Sequence, residues 1–264
     1  MRCVSATSAR DLFRACYLDV RDHDGARAVE EQISEVGLVT FDGLDSRDAV
    51  LDIATRYLNI STHRDSDPDG LTVIRDTGRH THRAGFGGLG RGELAPHTDR
   101  SSLPAPPRLM LFVCARPAEQ GGICLLTDGQ AVHSDLQANQ PDALATLIEQ
   151  RAAFFGRADG VFAPVFDHLP GGRLSIRLRQ DDLVRWHPFT RAYVPHLRTA
   201  AVRHQQPLEL DAGEGYLLDN HRWLHARTAF LGPRRCYRAL GNPRFRLPRG
   251  FAPHGATAIP LETR

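Results

Sequence analysis

Two short stretches of this chain carry the residue types of a mononuclear metal centre. His97-Thr98-Asp99 sets an imidazole and a carboxylate two positions apart, and Leu224-His225-Ala226-Arg227 offers another imidazole far downstream. Two imidazoles and one carboxylate cover one face of an octahedral ion and leave its other positions open, a donor set suited to Fe(II) and O2 activation. The chain has 13 histidines, so chance matches must be sorted. His-x-Asp occurs at His63/Asp65, His97/Asp99 and His133/Asp135. On a strand, residues i and i+2 point to one face; on a helix they diverge. His133 and Asp135 follow Asp128-Gly129 in a stretch that reads as helix, which counts against them. His63 and Asp65 lie in a polar run without rigid flanks and read as solvated surface. His97 and Asp99 lead through a proline-bounded turn into an apolar run, so they sit against the core, as a metal shell requires. For the third ligand His225 and His221 are rivals on one face of a strand-like run, and either could be an ordinary core histidine.

The elements that must position these residues follow from periodicity. Residues 26–36 read as an amphipathic helix ending at Gly37, and residues 38–41 as a short strand. Ser46 can cap a second helix. Residues 61–92 are polar and glycine-rich apart from a short strand at 71–75, and a loop this long just before His97 reads as a lid. Residues 108–115 are apolar nearly throughout, a strand buried on both faces. Gly121-Gly122 breaks the chain before a strand at 123–127, and a helical insertion spans about 128–153, with Pro141 opening its second helix. A half-buried strand at 173–179 and a helix at 190–203 come next. Three strands, at 208–218, 221–230 and 235–240, complete the pattern. Strands dominate the core and helices lie outside it, an α+β class, with no linker to divide residues 1–264 into two domains.

Composition narrows the function. With 264 residues and 41% hydrophobic content, a proper core is available. A net charge of +2 does not suggest a nucleic-acid partner. All 33 basic residues are arginine, which removes lysine Schiff-base chemistry and a P-loop lysine. The five cysteines, Cys3, Cys16, Cys114, Cys124 and Cys236, show no CxxC spacing, so neither a disulfide scaffold nor a cysteine zinc site is expected. The N-terminal residues do not read as a signal peptide, and no stretch reaches the roughly 20 apolar residues of a membrane span. A cytoplasmic enzyme acting on a small molecule is the expectation, with no membrane partner.

The order of motifs between His97 and Arg238 resembles a known family. Pro96-His97-Thr98-Asp99-Arg100-Ser101 is followed by Pro106-Pro107-Arg108-Leu109, Gly121-Gly122 and Asp128-Gly129. Asp219-Asn220-His221-Arg222-Trp223-Leu224-His225-Ala226-Arg227 comes much later, with Arg234, Arg235 and Arg238 beyond it. This is similar to the taurine dioxygenase / clavaminate synthase-like branch of Fe(II)- and 2-oxoglutarate-dependent oxygenases. The resemblance implies a double-stranded β-helix (jelly-roll) core with flanking helices. It implies His97, Asp99 and His225 as catalytic iron ligands, with His225 rather than His221 in the distal position. It implies 2-oxoglutarate and O2 as cosubstrates, succinate and CO2 as products, and hydroxylation of an unactivated C–H bond, with desaturation or ring formation as variants. Asp99 argues against halogenation, since the related halogenases lack that carboxylate.

The far carboxylate of 2-oxoglutarate calls for a guanidinium, which meets it with two parallel hydrogen bonds. Arg234 is the favoured partner; Arg238 shares its face and serves cosubstrate or substrate, whereas Arg235 points the other way. Many relatives have threonine two residues after the Gly-Gly pair; here Cys124 stands there, a weaker donor. Glu93, close before His97, and Asp181 and Asp182 are candidate partners for a substrate amine, and Trp223 a candidate pocket wall. An amino acid or natural-product intermediate is the expected substrate. Two other readings use the same residues: a metal-dependent hydrolase, and a non-catalytic jelly-roll binding protein. The arginines after His225 favour the oxygenase over both.

Overall fold

The computed structural model describes residues 9–22, 25–78 and 85–253. Its architecture rests on one strand, Leu109–Arg116, which is buried on both faces. Leu109, Leu111 and Val113 face a layer of helices, packing with Val29, Ile33, Val50, Ile53 and Tyr57. Met110, Phe112 and Cys114 face the opposite way, into a cluster shared with Cys124, Leu126, Leu208 and Trp223. A strand that is apolar at all but its last position can satisfy both neighbours only from the middle of a layered fold.

The larger sheet runs Leu38–Phe41, Gly215–Asp219, Leu109–Arg116, Arg235–Pro243, Leu58–Ile60, with Thr72–Ile74 also paired to Arg235–Pro243. The smaller sheet runs Gln205–Leu208, Cys124–Asp128, Trp223–Arg227, Leu94–His97. All of these pairings are antiparallel. The two sheets contribute to one apolar cluster, and helices cover the outer face of the larger sheet. A second layer, built from Gly129–Asn139, Pro141–Leu147 and Val194–Arg203, packs around Leu224.

Local chemistry explains most element ends. The Ser46 hydroxyl accepts from the Ala49 amide and opens Arg47–Tyr57. Asp128 does the same for Gly129–Asn139 through the Gln130 amide. Gly121-Gly122 is required by shape as well as by positive φ, since a Cβ on Gly121 would lie 2.1 Å from the Ala229 carbonyl oxygen.

Several expected elements are divided. Residues 208–218 are not one strand: Gln205–Leu208 belongs to the smaller sheet and Gly215–Asp219 to the larger, with a turn through Gly213 at φ 83° between them. The helix expected at 190–203 is two, Pro188–Arg191 and Val194–Arg203. The second helix of the insertion stops at Leu147, because Ala153–Phe155 is needed as a strand. Among the described residues no helix is long and apolar enough to cross a membrane.

The two sheets are joined where Gly215–Asp219 turns toward Trp223–Arg227. Arg108 donates to both carboxylate oxygens of Asp219, at 2.8 and 2.7 Å, and to the Pro248 carbonyl. Their side chains are 8% and 3% exposed, so neither charge has water to fall back on. Breaking one side of such a pair costs about 3–5 kcal/mol. Arg108→Met should therefore lower stability by about that amount, read from urea unfolding; a change under about 1 kcal/mol would show that the pair does not hold this junction.

Candidate metal centre

Strand pairing brings the first two ligands together. His97 and His225 are direct cross-strand partners, and a bulge follows between His225 and Arg227. Directly opposed residues of an antiparallel pair stand closest of all side chains on a sheet. The two imidazole centroids are 4.1 Å apart. The strand ends at His97, so Asp99 is not on an extended strand; it sits in the following turn. Asn220 fixes that turn. Its Oδ1 accepts from the Asp99 amide at 2.7 Å, and its Nδ2 donates to the Asp99 carbonyl at 3.0 Å and the Pro107 carbonyl at 2.9 Å.

One ligating atom from each of His97, Asp99 and His225 lies within 4.8 Å of the others. The donor set fits a divalent ion. His97 Nδ1 lies 2.9 Å from the Ala95 carbonyl, which can only accept, so the ring donates there and keeps its Nε2 lone pair for a metal. Burial lowers the pKa of His225 to about 3, with His97 adding to the effect, and burial also lowers that of His97. Both rings are therefore neutral, the form a ligand needs. Burial pushes the Asp99 carboxyl up, but the Arg238 guanidinium beside it more than offsets this and holds it below its ordinary value. Arg238 donates to Asp99 Oδ1 at 2.9 Å and Oδ2 at 3.2 Å.

The rival histidines go elsewhere. His221 Nε2 bonds the Pro106 carbonyl at 3.1 Å. His133 packs edge-on against Phe166 in a helix, and Asp135 pairs with Arg203 and His204. His63 corrects the sequence reading: its side chain is 14% exposed, and the charges of Arg238, Arg100, Asp65 and Asp99 act on it, so it lies beside the centre. The polar run around it concealed this, because a loop's burial depends on what folds over it.

Arg234 and Arg238 both turn inward, while Arg235 is exposed. Arg234 is 7% exposed, and its one side-chain hydrogen-bonding contact among the described residues is to Cys124 Sγ at 3.8 Å. Gly122 leaves room for it, since a Cβ there would lie 3.1 Å from its Cδ and Nε. Burial raises the Cys124 pKa, so its thiol stays neutral and offers Arg234 no counter-charge.

One substrate candidate falls elsewhere. Trp223 is buried in the shared cluster with its indole N–H donated to the Val36 carbonyl, so it packs the core and lines no pocket. Glu93 is exposed ahead of its strand and makes no hydrogen bond or ion pair among the described residues. Asp181 is committed to Arg179 and the Gly85 amide. Residues 79–84 of the expected lid lie outside the described residues; residues 85–92 are tied down, in part by Arg227, which donates to the Gly90 and Gly92 carbonyls.

Comparison with known proteins settles the family. A model of the taurine catabolism dioxygenase TauD, TfdA family matches residues 11–240. The chain belongs to that dioxygenase family. Solved structures agree on the fold. The chain is similar to the non-heme iron oxygenase OrfP in complex with Fe, succinate and (3S)-hydroxy-L-Arg, with a TM-score of 0.66 and 14% identity over 89% of this chain and 84% of that one. It is similar to an asparagine oxygenase in complex with Fe(II), 2S,3S-3-hydroxyasparagine and succinate, with a TM-score of 0.64 and 14% identity over 88% and 82%. It also resembles PvcB from Pseudomonas aeruginosa, with a TM-score of 0.63 and 16% identity over 81% and 79%.

Two outcomes test the centre. Asn220→Leu removes both bonds to Asp99 and the one to Pro107, so divalent-metal affinity should fall about 10- to 100-fold, as for other partners of metal ligands, measured by calorimetry. An unchanged affinity would show that Asn220 does not position Asp99. Burial, with Arg238 and Arg100 adding to it, lowers the His63 pKa from 6.5 to about 4. Between those values the unfolded chain binds a proton that the folded chain refuses, so stability is full above pH 6.5 and falls as pH drops toward 4. His63→Asn should flatten that slope in metal-free protein, seen in thermal melts across the window. An identical slope would count against a buried, neutral His63.

Proposed function

We propose that this protein is an Fe(II)- and 2-oxoglutarate-dependent oxygenase that hydroxylates an unactivated C–H bond of a small, amino-acid-like molecule. The observation that carries the reading is the pairing of an open His-Asp-His set with a buried arginine that has no carboxylate partner among the described residues. A hydrolase has no use for such a guanidinium, and a binding protein none for the metal set. His97, Asp99 and His225 would hold the iron. When bound, iron and 2-oxoglutarate supply the oxidising chemistry, with O2 as second cosubstrate and succinate and CO2 released.

The chain's own residues do the rest. Arg234 presents a planar fork to the far carboxylate of the cosubstrate, in a site where water does not compete. Cys124 contributes contact and only a weak donor, so recognition leans on Arg234. Arg238 keeps Asp99 ionised and stands ready to take an acidic group of the substrate. The two sheets around one core support a jelly-roll barrel in a single domain of 1–264. The hydroxylated amino acids bound to OrfP and to the asparagine oxygenase support an amino-acid-like substrate. The four cysteines among the described residues are buried and free of disulfides, compatible with a reducing, cytoplasmic setting.

An anaerobic titration with Fe(II) and 2-oxoglutarate should produce a weak visible charge-transfer band, and His97→Ala or Asp99→Ala should abolish it. A folded wild-type protein without the band would sink the assignment. Arg234→Met strands the cosubstrate carboxylate, so 2-oxoglutarate affinity read from the band should fall about hundredfold or more. Cys124→Thr restores a hydroxyl donor and should tighten it several-fold.

A further inference from the structure

The last strand, Arg235–Pro243, has two faces with different duties. Cys236 and Arg238 point inward, as Arg234 does just before it. Arg235 and Tyr237 point the other way, since successive side chains of a strand alternate. There they line a cleft of about 520 Å³ together with Arg47, Arg75 and Thr77. That volume suits a small molecule. Val73 pairs with Tyr237 and Ile74 with Cys236, so Arg75 lies one step past the pairing, level with Arg235. On the other side Arg116 is the direct cross-strand partner of Arg235, next to a bulge. Three arginines thus stand in one row across three adjoining segments.

Like charges placed directly opposite each other weaken a sheet. Among the described residues nothing offsets them: no hydrogen bond or ion pair reaches the guanidiniums of Arg75, Arg116 or Arg235. The carboxylates at hand are taken. Asp67 is held by Arg47 at 2.8 Å, Asp65 by Arg64 at 3.3 Å, and Asp76, the neighbour of Arg75, by Arg91 at 2.6 Å. The walls are fixed as well. Arg47 lies over the Tyr237 ring, 5.5 Å from its centroid, and the Thr77 amide donates to the carbonyl of Leu89, another lining residue, at 3.1 Å. The cleft is therefore a built one, and the donors it leaves free are guanidiniums.

Two guanidiniums reaching in from different segments suit an acceptor whose oxygens point in several directions. A phosphate group provides that, whereas a carboxylate has both oxygens in one plane. We propose that this cleft binds a small phosphate-bearing anion through Arg75 and Arg235, at a second site separate from the metal centre. The strand itself divides the two sites, with Arg234 and Arg238 on its inner face and Arg235 on its outer one. The cleft needs neither the metal nor the cosubstrate, so it stands apart from the oxygenase reading.

The test is a calorimetric titration of the full-length protein, without added metal, at fixed ionic strength in chloride. The probes are inorganic phosphate, glycerol 3-phosphate and AMP, with acetate as the carboxylate control. At least one phosphate probe should bind with a Kd of about 1 mM or tighter, and about tenfold or more tightly than acetate. Equal binding of all three assigns the site to the phosphate group itself; tighter binding of an ester assigns it to a phosphate ester. Arg75→Gln and Arg235→Gln replace exposed residues, and an unchanged melting temperature verifies that each variant folds. Each should weaken phosphate binding about tenfold or more, the scale of a hydrogen bond to a charged group. Arg234→Met, on the inner face, should leave it unchanged. Absence of binding by every phosphate probe, binding no tighter than that of acetate, or an affinity unchanged in either cleft variant overturns the site. Binding lost in Arg234→Met overturns it too, because the anion would then occupy the cosubstrate pocket.

Discussion

The buried amide of Asn220 spans the chain on both sides of Asp99 and reaches Pro107 as well, and the metal-ligand geometry depends on it. Asp99 lies past the end of its strand, so no sheet hydrogen bond holds it. Asn220 supplies what the sheet does not, through three bonds from a side chain that is 1% exposed. Its neighbour Asp219 is locked to Arg108. The adjacent pair Asp219-Asn220, the end of one strand and the start of the turn after it, therefore joins the larger sheet, the smaller sheet and the ligand loop. Buried polar groups are costly unless fully paired, and here full pairing makes the arrangement unique.

A second layer of contacts reaches the same loop from residues 177–180. Thr98 exchanges bonds with Leu178, Gln180 donates to the Pro96 carbonyl, and Arg177 donates to the carbonyls of Ser101, Leu103 and Pro104. The two ligands closest in sequence are thus held from two distant segments, while His225 is held by its strand. A site supported this way keeps its donors in place before any ion arrives, which is what metal selectivity by geometry requires.

Charge is distributed unevenly around this frame. On one side Arg234 is enclosed by Cys124, Phe112 and Phe230 with no acid. On the other, Arg238 and Arg100 crowd around Asp99. Arg227 lies close enough to Arg234 that burial and that neighbouring charge lower its pKa to about 10, yet it is spent on the Gly90 and Gly92 carbonyls. Arginines of one type thus divide into structural ties and groups awaiting a ligand, and only their partners tell them apart.

That division marks the line between sequence and structure. Periodicity was enough for the helix at Ala26–Glu35, the strand at Leu38–Phe41, the Ser46 cap and the doubly buried Leu109–Arg116, because each depends on contacts within one turn or one strand. Residue types and spacing made His97 and Asp99 candidates and left His225 and His221 as rivals; the resemblance to the dioxygenase family is what pointed to His225. Sequence did not reveal that residues 208–218 split between two sheets, that Trp223 belongs to the core, or that His63 comes beside Asp99. Nor did it show Asn220 as more than a turn residue, or Arg75 and Arg235 as lining one cleft. Those properties belong to pairs of residues far apart in the chain. A side chain's burial and partners are set by what packs over it, and only the folded arrangement of sheets and loops decides that.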